Sequence, residues 1–170
     1  MKQGLVHLYW GEGKGKSTAA MGLAVRALGR GLRVNIVQFL KDGDSGEIEP
    51  LRQLGAQVWT GNETSKFVFQ MTPQERDAAR AAHQQHLRCA LERPCDLLIL
   101  DEGCAALALD MVDERLMRRA VLERPQGREV VVTGRDPAPW LQEAADYSIQ
   151  MCCHKHPFQQ GIGAREGIEF

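Results

Sequence analysis

The sequence lacks an excess of charge of either sign and any long hydrophobic run. Its 170 residues include 21 Lys and Arg against 22 Asp and Glu, a formal net charge of −1, so electrostatics give no reason to expect nucleic acid or an anionic membrane as a partner. No segment approaches the roughly 20 apolar residues of a transmembrane helix. The first residues lead directly into a strand pattern without the apolar core of a signal peptide. We therefore expect a cytoplasmic protein that binds neither nucleic acid nor membranes.

Cysteines are few and poorly spaced for cross-links or metal binding. There are five, an odd number, and no two form a Cys-x-x-Cys pair, so a disulfide framework is not expected. Only the segment Cys152-Cys153-His154-Lys155-His156 resembles a ligand cluster. Adjacent side chains point in different directions in an extended chain, and a second half-site is missing. We expect reduced thiols and do not favour a zinc site.

The sequence also has no internal repeat, linker or low-complexity stretch. Strand and helix patterns alternate instead, which is typical of a parallel sheet covered on both faces. The length and the 44% hydrophobic content suit one domain with a sizeable core. We predict a single domain over residues 1–170 with a three-layer α/β fold, a mostly parallel sheet with helices on both faces. The predicted strands are 5–10, 33–39, 57–59, 96–100, 129–133 and 147–151, and the predicted helices are 18–28, 50–54, 73–93, 113–123 and 137–145.

A loop rich in glycine and lysine lies between the first predicted strand and the first predicted helix. It reads Gly11-Glu12-Gly13-Lys14-Gly15-Lys16-Ser17-Thr18. Glycines let backbone N–H groups turn toward an anion, the following helix presents its positive end, Lys16 supplies a point charge, and the Ser17 hydroxyl can bind magnesium. These residues predict a bound nucleoside triphosphate. A glycine-rich turn that binds nothing is the alternative, which the order of strand, loop and helix disfavours.

The spelling of this loop differs from the standard phosphate loop. A standard loop has glycine five positions before Gly15, where this sequence has Trp10. The loop is therefore one residue shorter, and Glu12 places a carboxylate where phosphates would repel it. Because Gly11 and Gly13 still supply backbone freedom, the deviation indicates a specialised phosphate-loop protein.

A second apolar run ends in two carboxylates, Asp101 and Glu102. Such a run is typical of a buried parallel strand that delivers acids to the carboxyl edge of a sheet. Together with Ser17, these carboxylates could share a magnesium ion that bridges phosphate oxygens. The alternative is that Asp101 caps the helix that follows. The phosphate loop favours the metal-binding role.

Other strand ends supply further candidates for the same site, since ligands gather at the carboxyl ends of strands in open α/β sheets. These candidates are Gln38 to Lys41 at the end of the second strand and Thr133-Gly134-Arg135 at the end of the fifth. Arg135 is suited to meet phosphate, although a plain surface arginine is equally compatible with its position. Phe67 and Phe69 stand inside a polar connection and would point the same way from an extended segment. They are either part of a core strand or a flat apolar wall for a large ligand.

Six motifs, in order, resemble the ATP:corrinoid adenosyltransferases, the phosphate-loop family that makes adenosylcobalamin. The resemblance extends from Gly4 to Phe170, and the shortened loop is that family's own form. The motifs are Tyr9-Trp10 with the phosphate loop, Val37-Gln38-Phe39-Leu40-Lys41, Leu100-Asp101-Glu102, Thr133-Gly134-Arg135, Lys155-His156-Pro157-Phe158 and Gly167-Ile168-Glu169-Phe170.

The resemblance implies a phosphate-loop NTPase-like, recombinase-like fold and a defined reaction. The Co(I) centre of a corrinoid attacks the 5′ carbon of ATP and expels triphosphate, with ATP lying in the loop in the opposite sense to that in phosphate-loop hydrolases. The resemblance implies that the loop 11–18 cradles the triphosphate and that Lys16 stabilises the charge that develops on it. Ser17 would bind magnesium, and Glu102 and Asp101 would complete the ion's ligand shell. Gln38 and Arg135 would be further contacts of the nucleotide.

The resemblance also implies a role for the two phenylalanines and two partners. Phe67 and Phe69 correspond to the paired aromatics that keep the lower axial ligand off cobalt, so that Co(II) becomes reducible. A flavoprotein reductant and a homodimer are the expected partners. Two other functions fit a phosphate loop: a kinase or NTPase acting on the terminal phosphate, and a nucleotide or corrinoid carrier without turnover.

Overall fold

The computed structural model describes residues 3–61 and 66–169 and shows a three-layer α/β fold. These ranges contain six strands and six helices, with two consecutive helices between the fourth and fifth strands, and 3₁₀ turns at Val68–Gln70 and Pro157–Gln160. The strands are β1 (Val6–Trp10), β2 (Val34–Gln38), β3 (Gln57–Trp59), β4 (Leu97–Asp101), β5 (Glu129–Gly134) and β6 (Tyr147–Gln150). The helices are α1 (Lys16–Leu28), α2 (Ile48–Gln53), α3 (Pro73–Glu92), α4 (Gly103–Ala108), α5 (Glu114–Leu122) and α6 (Pro139–Ala144).

All strand pairs in the described residues are parallel, in the order β3-β2-β4-β5-β1-β6. The carboxyl ends of the strands therefore meet at one edge of the sheet. The phosphate loop follows β1, Asp101 ends β4, and Gly134 ends β5. The fold thus gathers the candidate residues of several strands at one edge, as expected for an α/β sheet.

Two hydrophobic clusters cover the two faces of the sheet. On one face, α1 and the residues around α2 pack against strand positions such as Ile36 and Ile99. On the other face, α3, α4, α5 and α6 pack against the alternate positions, such as Leu98 and Leu100. Every residue of β2 and β4 is buried, as expected of central parallel strands covered on both faces, and β4 accordingly reads as a continuous apolar run up to Asp101. The predicted three-layer arrangement is confirmed.

The elements predicted from the sequence are all present, with boundaries within two residues. The capping box at the start of α3 is also confirmed, since Thr72 Oγ1 accepts from the Glu75 N–H (3.2 Å) and a Glu75 carboxylate oxygen accepts from the Thr72 N–H (2.8 Å). Sequence reasoning missed α4, which is six residues long, begins at a glycine and has no side-chain cap. Across residues 3–61 and 66–169, no helix is long and apolar enough to cross a membrane.

Candidate nucleotide site

A cavity of about 790 Å³ opens at the carboxyl edge of the sheet. One wall is the second half of the phosphate loop and the start of α1, and another is the connection between β2 and α2. Glu102, Phe67 and a short segment near the carboxyl terminus complete the lining. The lining residues are 14–18, 21, 40–42, 44–47, 66, 67, 102 and 167–169.

The phosphate loop is packed against the chain that follows β6. The Gly13 N–H donates to the Met151 carbonyl at 2.7 Å. A Cβ on Gly13 would lie 2.6 Å from the carbonyl carbon of Met151, and one on Gly11, whose φ is 103°, would lie 2.7 Å from its oxygen. These two glycines are therefore needed for close backbone packing, and the Gly13 N–H is used within the protein. Gly15 has φ 109° and leads directly into α1.

Lys16 lies at the first position of α1 and lines the cavity. Its ammonium donates to the Gly13 carbonyl at 2.7 Å, so the side chain folds back over the loop. Ser17 and Thr18 line the same cavity. The amino-terminal end of this 13-residue helix adds a partial positive charge to the wall. The loop thus presents the donors and the charge that a polyphosphate needs.

The two unusual residues of the loop have defined partners. Trp10 donates its indole N–H to Ser148 Oγ at 3.1 Å and packs partly against the core. The Glu12 carboxylate lies 3.0 Å from the Arg135 guanidinium, and both side chains are 65% exposed. Neither Glu12 nor Arg135 lines the cavity. The charge of Glu12 is therefore matched by Arg135, and the two residues form a pair beside the loop.

Asp101 and Glu102 occupy different surroundings although they are adjacent. Asp101 is 0% exposed. Its Oδ1 accepts from the Thr133 hydroxyl at 2.7 Å, and its Oδ2 lies 3.3 Å from the amide nitrogen of Gln38 and 3.4 Å from the Lys41 ammonium. Glu102 turns through φ 58° into the left-handed region and lines the cavity. The helix cap of α4 is Glu102, so the interpretation of Asp101 as a cap is wrong.

Burial raises the pKa of the Glu102 carboxyl, and the neighbouring Asp101 carboxylate raises it further. Lys41, Lys16 and Arg135 oppose this effect. The raised pKa means that the surrounding protein groups stabilise the charged form of Glu102 less than water does. A cation bound beside it would supply the missing compensation.

The donors that face the cavity fit a magnesium ion. Ser17 and Glu102 both line it, and hydroxyl and carboxylate oxygens are the ligands that magnesium prefers. Asp101 does not line the cavity and is already engaged by three partners. Within the described part of the chain, no group of three or more His, Cys, Asp and Glu is placed to hold a metal. Ser17 and Glu102 would offer two protein oxygens to such an ion, and phosphates and water would supply the rest, as is usual for magnesium.

Gln38 is buried behind the cavity wall and does not line it. Its amide nitrogen lies near Asp101 and Glu47, at 3.3 Å and 3.4 Å, and its amide oxygen accepts from the Thr60 hydroxyl at 2.8 Å. The structure therefore places Gln38 as a support for Asp101 and for the loop after β2.

The two phenylalanines are exposed, so the prediction of a core strand is wrong. Phe67 is 69% exposed and Phe69 83% exposed, and they flank Val68 in a 3₁₀ turn instead of an extended segment. Their rings stack with centroids 5.6 Å apart and planes 5° from parallel. Phe67 lines the cavity, and Phe69 does not. The pair forms an exposed aromatic surface at the edge of the cavity, in keeping with the alternative of an apolar wall.

Comparison with known proteins agrees with this arrangement. Residues 2–170 match the family described as ATP:corrinoid adenosyltransferase BtuR/CobO/CobP. The chain belongs to this family. It is an adenosyltransferase of the class whose substrates are ATP and a corrinoid, and the resemblance noted in its sequence is confirmed.

Relatives of this adenosyltransferase cover nearly its whole length. It is 35% identical to the corrinoid adenosyltransferase of Pseudomonas aeruginosa, covering 99% of this chain and 85% of that protein. It is 32% identical to the corrinoid adenosyltransferase of Escherichia coli K12 and 33% identical to corrinoid adenosyltransferase CobA of Salmonella typhimurium. In both comparisons the alignment covers 99% of this chain and 87% of the relative.

Three contacts of the adenosyltransferase site were not predicted from the sequence, although Lys41 and Thr133 belong to the strand ends expected there. Residues 167–169 line the cavity, and the Lys14 ammonium donates to the Ile168 carbonyl at 2.9 Å. The Thr133 hydroxyl bridges Asp101 and the Glu102 N–H, accepting the latter at 3.0 Å. Lys41 lies beside Asp101. No local pattern marks any of these contacts, because each joins segments that are far apart in the chain.

Proposed function

We propose that this chain transfers the 5′-deoxyadenosyl group of ATP to the Co(I) centre of a corrinoid and releases triphosphate, in adenosylcobalamin biosynthesis or salvage. One observation carries the proposal: the phosphate loop, the Glu102 carboxylate and the aromatic Phe67 all line one cavity. The loop suits a polyanion, the Glu102 carboxylate suits a cation, and the Phe67 ring suits a large flat ligand. Family membership supplies the reaction that uses all three.

The phosphate loop would hold the leaving group. The cobalt electron pair forms the bond to the 5′ carbon, the bond from that carbon to oxygen breaks, and triphosphate leaves with the electron pair while Co(I) becomes Co(III). This step needs no general base. The protein has to stabilise the charge that develops on the triphosphate and hold the carbon in line with cobalt. Within the loop Gly11 to Thr18, the residues 14–18 that line the cavity would supply backbone donors, and Lys16 would supply the positive charge.

Ser17 and Glu102 would hold a magnesium ion, with Asp101 supporting them from behind. The ion would supply Lewis acidity and charge compensation at the triphosphate when bound. The contacts of Asp101 with Thr133, Gln38 and Lys41 favour this supporting role over direct ligation. Arg135 is held beside the loop by its ion pair with Glu12. A bound nucleotide would replace Glu12 as the partner of the Arg135 guanidinium.

Phe67 and Phe69 would contact the corrinoid. Large, exposed, stacked aromatic rings suit a flat apolar face, and a pair that displaces the lower axial ligand of cobalt would make Co(II) easier to reduce. We extend the proposal to a separate flavoprotein that supplies the electrons, a homodimeric assembly, a cytoplasmic location and a single domain over residues 1–170. These four rest on the family and on the sequence.

The test is an anaerobic assay with ATP, magnesium and a chemically reduced corrinoid. We expect a light-sensitive cobalt–carbon product together with inorganic triphosphate in equal amounts. Release of ADP with orthophosphate or a phosphorylated acceptor would indicate a kinase or NTPase instead. Tight binding of both ligands without product, with turnover restored by Glu12→Asn, would indicate a carrier.

A further inference from the structure

The chain makes a sharp and unusual bend directly after β2. The Phe39 N–H donates to the Asp101 carbonyl at 3.0 Å, which continues the sheet for one residue beyond the strand. Leu40 then has φ 60°, in the left-handed region that residues with a side chain rarely adopt. Such a conformation persists only where surrounding contacts impose it, and it is concentrated at functional sites.

His83 of α3 fixes this bend. The Leu40 N–H donates to His83 Nε2 at 3.2 Å, and the histidine is 1% exposed. Burial lowers the pKa of His83 to about 4, so the ring is neutral at pH 7 and Nε2 can accept a hydrogen bond. The contact of a buried ring with a strained backbone N–H shows that the direction of the chain at Leu40 is imposed by the fold.

The bend delivers Lys41 to the cavity wall. Its ammonium lies 3.4 Å from Asp101 Oδ2 and 3.9 Å from a Glu47 carboxylate oxygen, and its side chain is 30% exposed and lines the cavity. Both distances exceed the 2.7–3.2 Å that is typical of a protein N–H···O hydrogen bond. The carboxylates therefore hold the ammonium by charge without using its hydrogens in short bonds. An ammonium has three donors, and they border the same space as the phosphate loop.

We propose that Lys41 is a second polyphosphate-binding cation of this site, positioned by Asp101 and by the His83-stabilised bend. The inference rests on the proposed function, since it takes the triphosphate as the ligand. Lys16 contacts that ligand from the phosphate loop, and Lys41 contacts it from the end of β2. Two cations on separate elements hold a flexible polyanion in one orientation, which a single lysine cannot do.

The experiment is calorimetric titration with inorganic tripolyphosphate in the presence of EDTA and without corrinoid. We expect Lys41→Met to weaken binding at least tenfold, on the scale of one charge contact. Lys41→Arg should restore most of the affinity because it keeps the charge. Arg30→Met, which removes an exposed cation beyond the end of α1 and outside the cavity lining, is the matched control and should bind like the wild type. Adenosine should bind equally to wild type and Lys41→Met.

A purely structural role for Lys41 predicts a different result. Lys41→Met leaves the buried Asp101 carboxylate without its cation, which could disturb the fold and lower affinity indirectly. The double variant Lys41→Met/Asp101→Asn removes both charges. If Lys41 binds polyphosphate, the double variant stays at least tenfold weaker than Asp101→Asn alone. Equal affinities of these two variants would overturn the assignment.

The wild-type titration separates this assignment from the proposed function. If wild type binds tripolyphosphate, Lys41→Met binds it as tightly as wild type, and the double variant binds it as tightly as Asp101→Asn, only the role of Lys41 fails. If wild type does not bind tripolyphosphate at all, the proposed leaving-group site fails and the Lys41 assignment fails with it.

Discussion

At the scale of single residues, charge placement decides what the site can do. Lys16 and Lys41 border the cavity from different elements, while the buried Asp101 and the cavity-facing Glu102 supply opposite charge. Arg135 is paired with Glu12 outside the lining. The positive groups nearest the expected leaving group are therefore lysines, whose compact ammonium can follow a phosphate as charge develops.

Replacement of Lys16 by alanine should lower kcat by about 100-fold or more, because one charge contact to the departing triphosphate is lost. The measurement is the initial rate of cobalt–carbon bond formation at saturating ATP and reduced corrinoid. Arg30→Ala, at an exposed position outside the cavity lining, should have the rate of the wild type. A Lys16→Ala enzyme that loses only affinity for ATP, with kcat unchanged, would show that Lys16 binds the substrate and the transition state equally.

Replacement of Phe67 or Phe69 by alanine should slow the reaction that starts from Co(II) more than the reaction that starts from chemically reduced Co(I). The rings are exposed, so the free energy of unfolding should change by less than about 0.5 kcal/mol. Both rates are measured on the same preparations with the same corrinoid. Equal losses in the two assays would assign the rings to general substrate binding.

At the scale of secondary structure elements, the corner between β4 and α4 determines which carboxylate enters the cavity. The left-handed turn at Glu102 directs that residue outward and starts α4, whose Cys104 packs under the end of β5. Gly134 at that end has φ 147°, and a Cβ there would lie 2.5 Å from the Cβ of Cys104. The absence of a side chain at Gly134 allows α4 to pack closely against the sheet.

Gly134→Ala should lower the free energy of unfolding by about 2 to 4 kcal/mol, since it combines backbone strain with overpacking. The matched control is Gly22→Ala in α1, where an added Cβ meets nothing within 4 Å. That change should raise stability by up to about 1 kcal/mol, because alanine is the better helix former. Urea unfolding monitored by circular dichroism measures both. Equal effects of the two substitutions would contradict the close packing of α4.

At the scale of the whole molecule, a buried histidine links folding to pH. His83 lies on α3 and accepts a hydrogen bond from the bend after β2. Burial lowers its pKa from 6.5 to about 4, and the nearby His86 acts in the same direction. Between these pH values the unfolded chain binds a proton that the folded protein does not. The free energy of unfolding should therefore fall as the pH drops from 6.5 to 4, and this contribution should level off below pH 4.

The contribution of His83 is on the order of 2 to 3 kcal/mol across this pH range. It is measured as the difference in pH dependence of urea unfolding between wild type and His83→Phe. His154→Phe, at an exposed position, should keep the pH dependence of the wild type. A His83→Phe variant with an unchanged slope would show that the pKa of His83 does not differ between the folded and unfolded protein.

Much of the fold could be predicted from the sequence because its signals are local. The apolar run of β4, the Thr72 and Glu75 capping box and the glycines of the phosphate loop each depend on residues a few positions apart. α4 was missed because it lacks such signals. The interpretation of the segment around Phe67 as a core strand was wrong. Apolar residues at every second position occur in a 3₁₀ turn as well as in a strand, so the pattern could not distinguish the two.

The sequence by itself determined the layered α/β fold, the phosphate loop and the family. Only the tertiary structure decided which side chains share the cavity, because their contacts join strand ends and termini that are distant in the chain. Lys14 meets Ile168 across 154 positions. Asp101 is kept out of the cavity lining by its contacts with Gln38 on β2, Thr133 on β5 and Lys41 after the bend, whereas Glu102 faces the cavity. Such contacts depend on strand order and backbone direction, which local residue patterns do not encode.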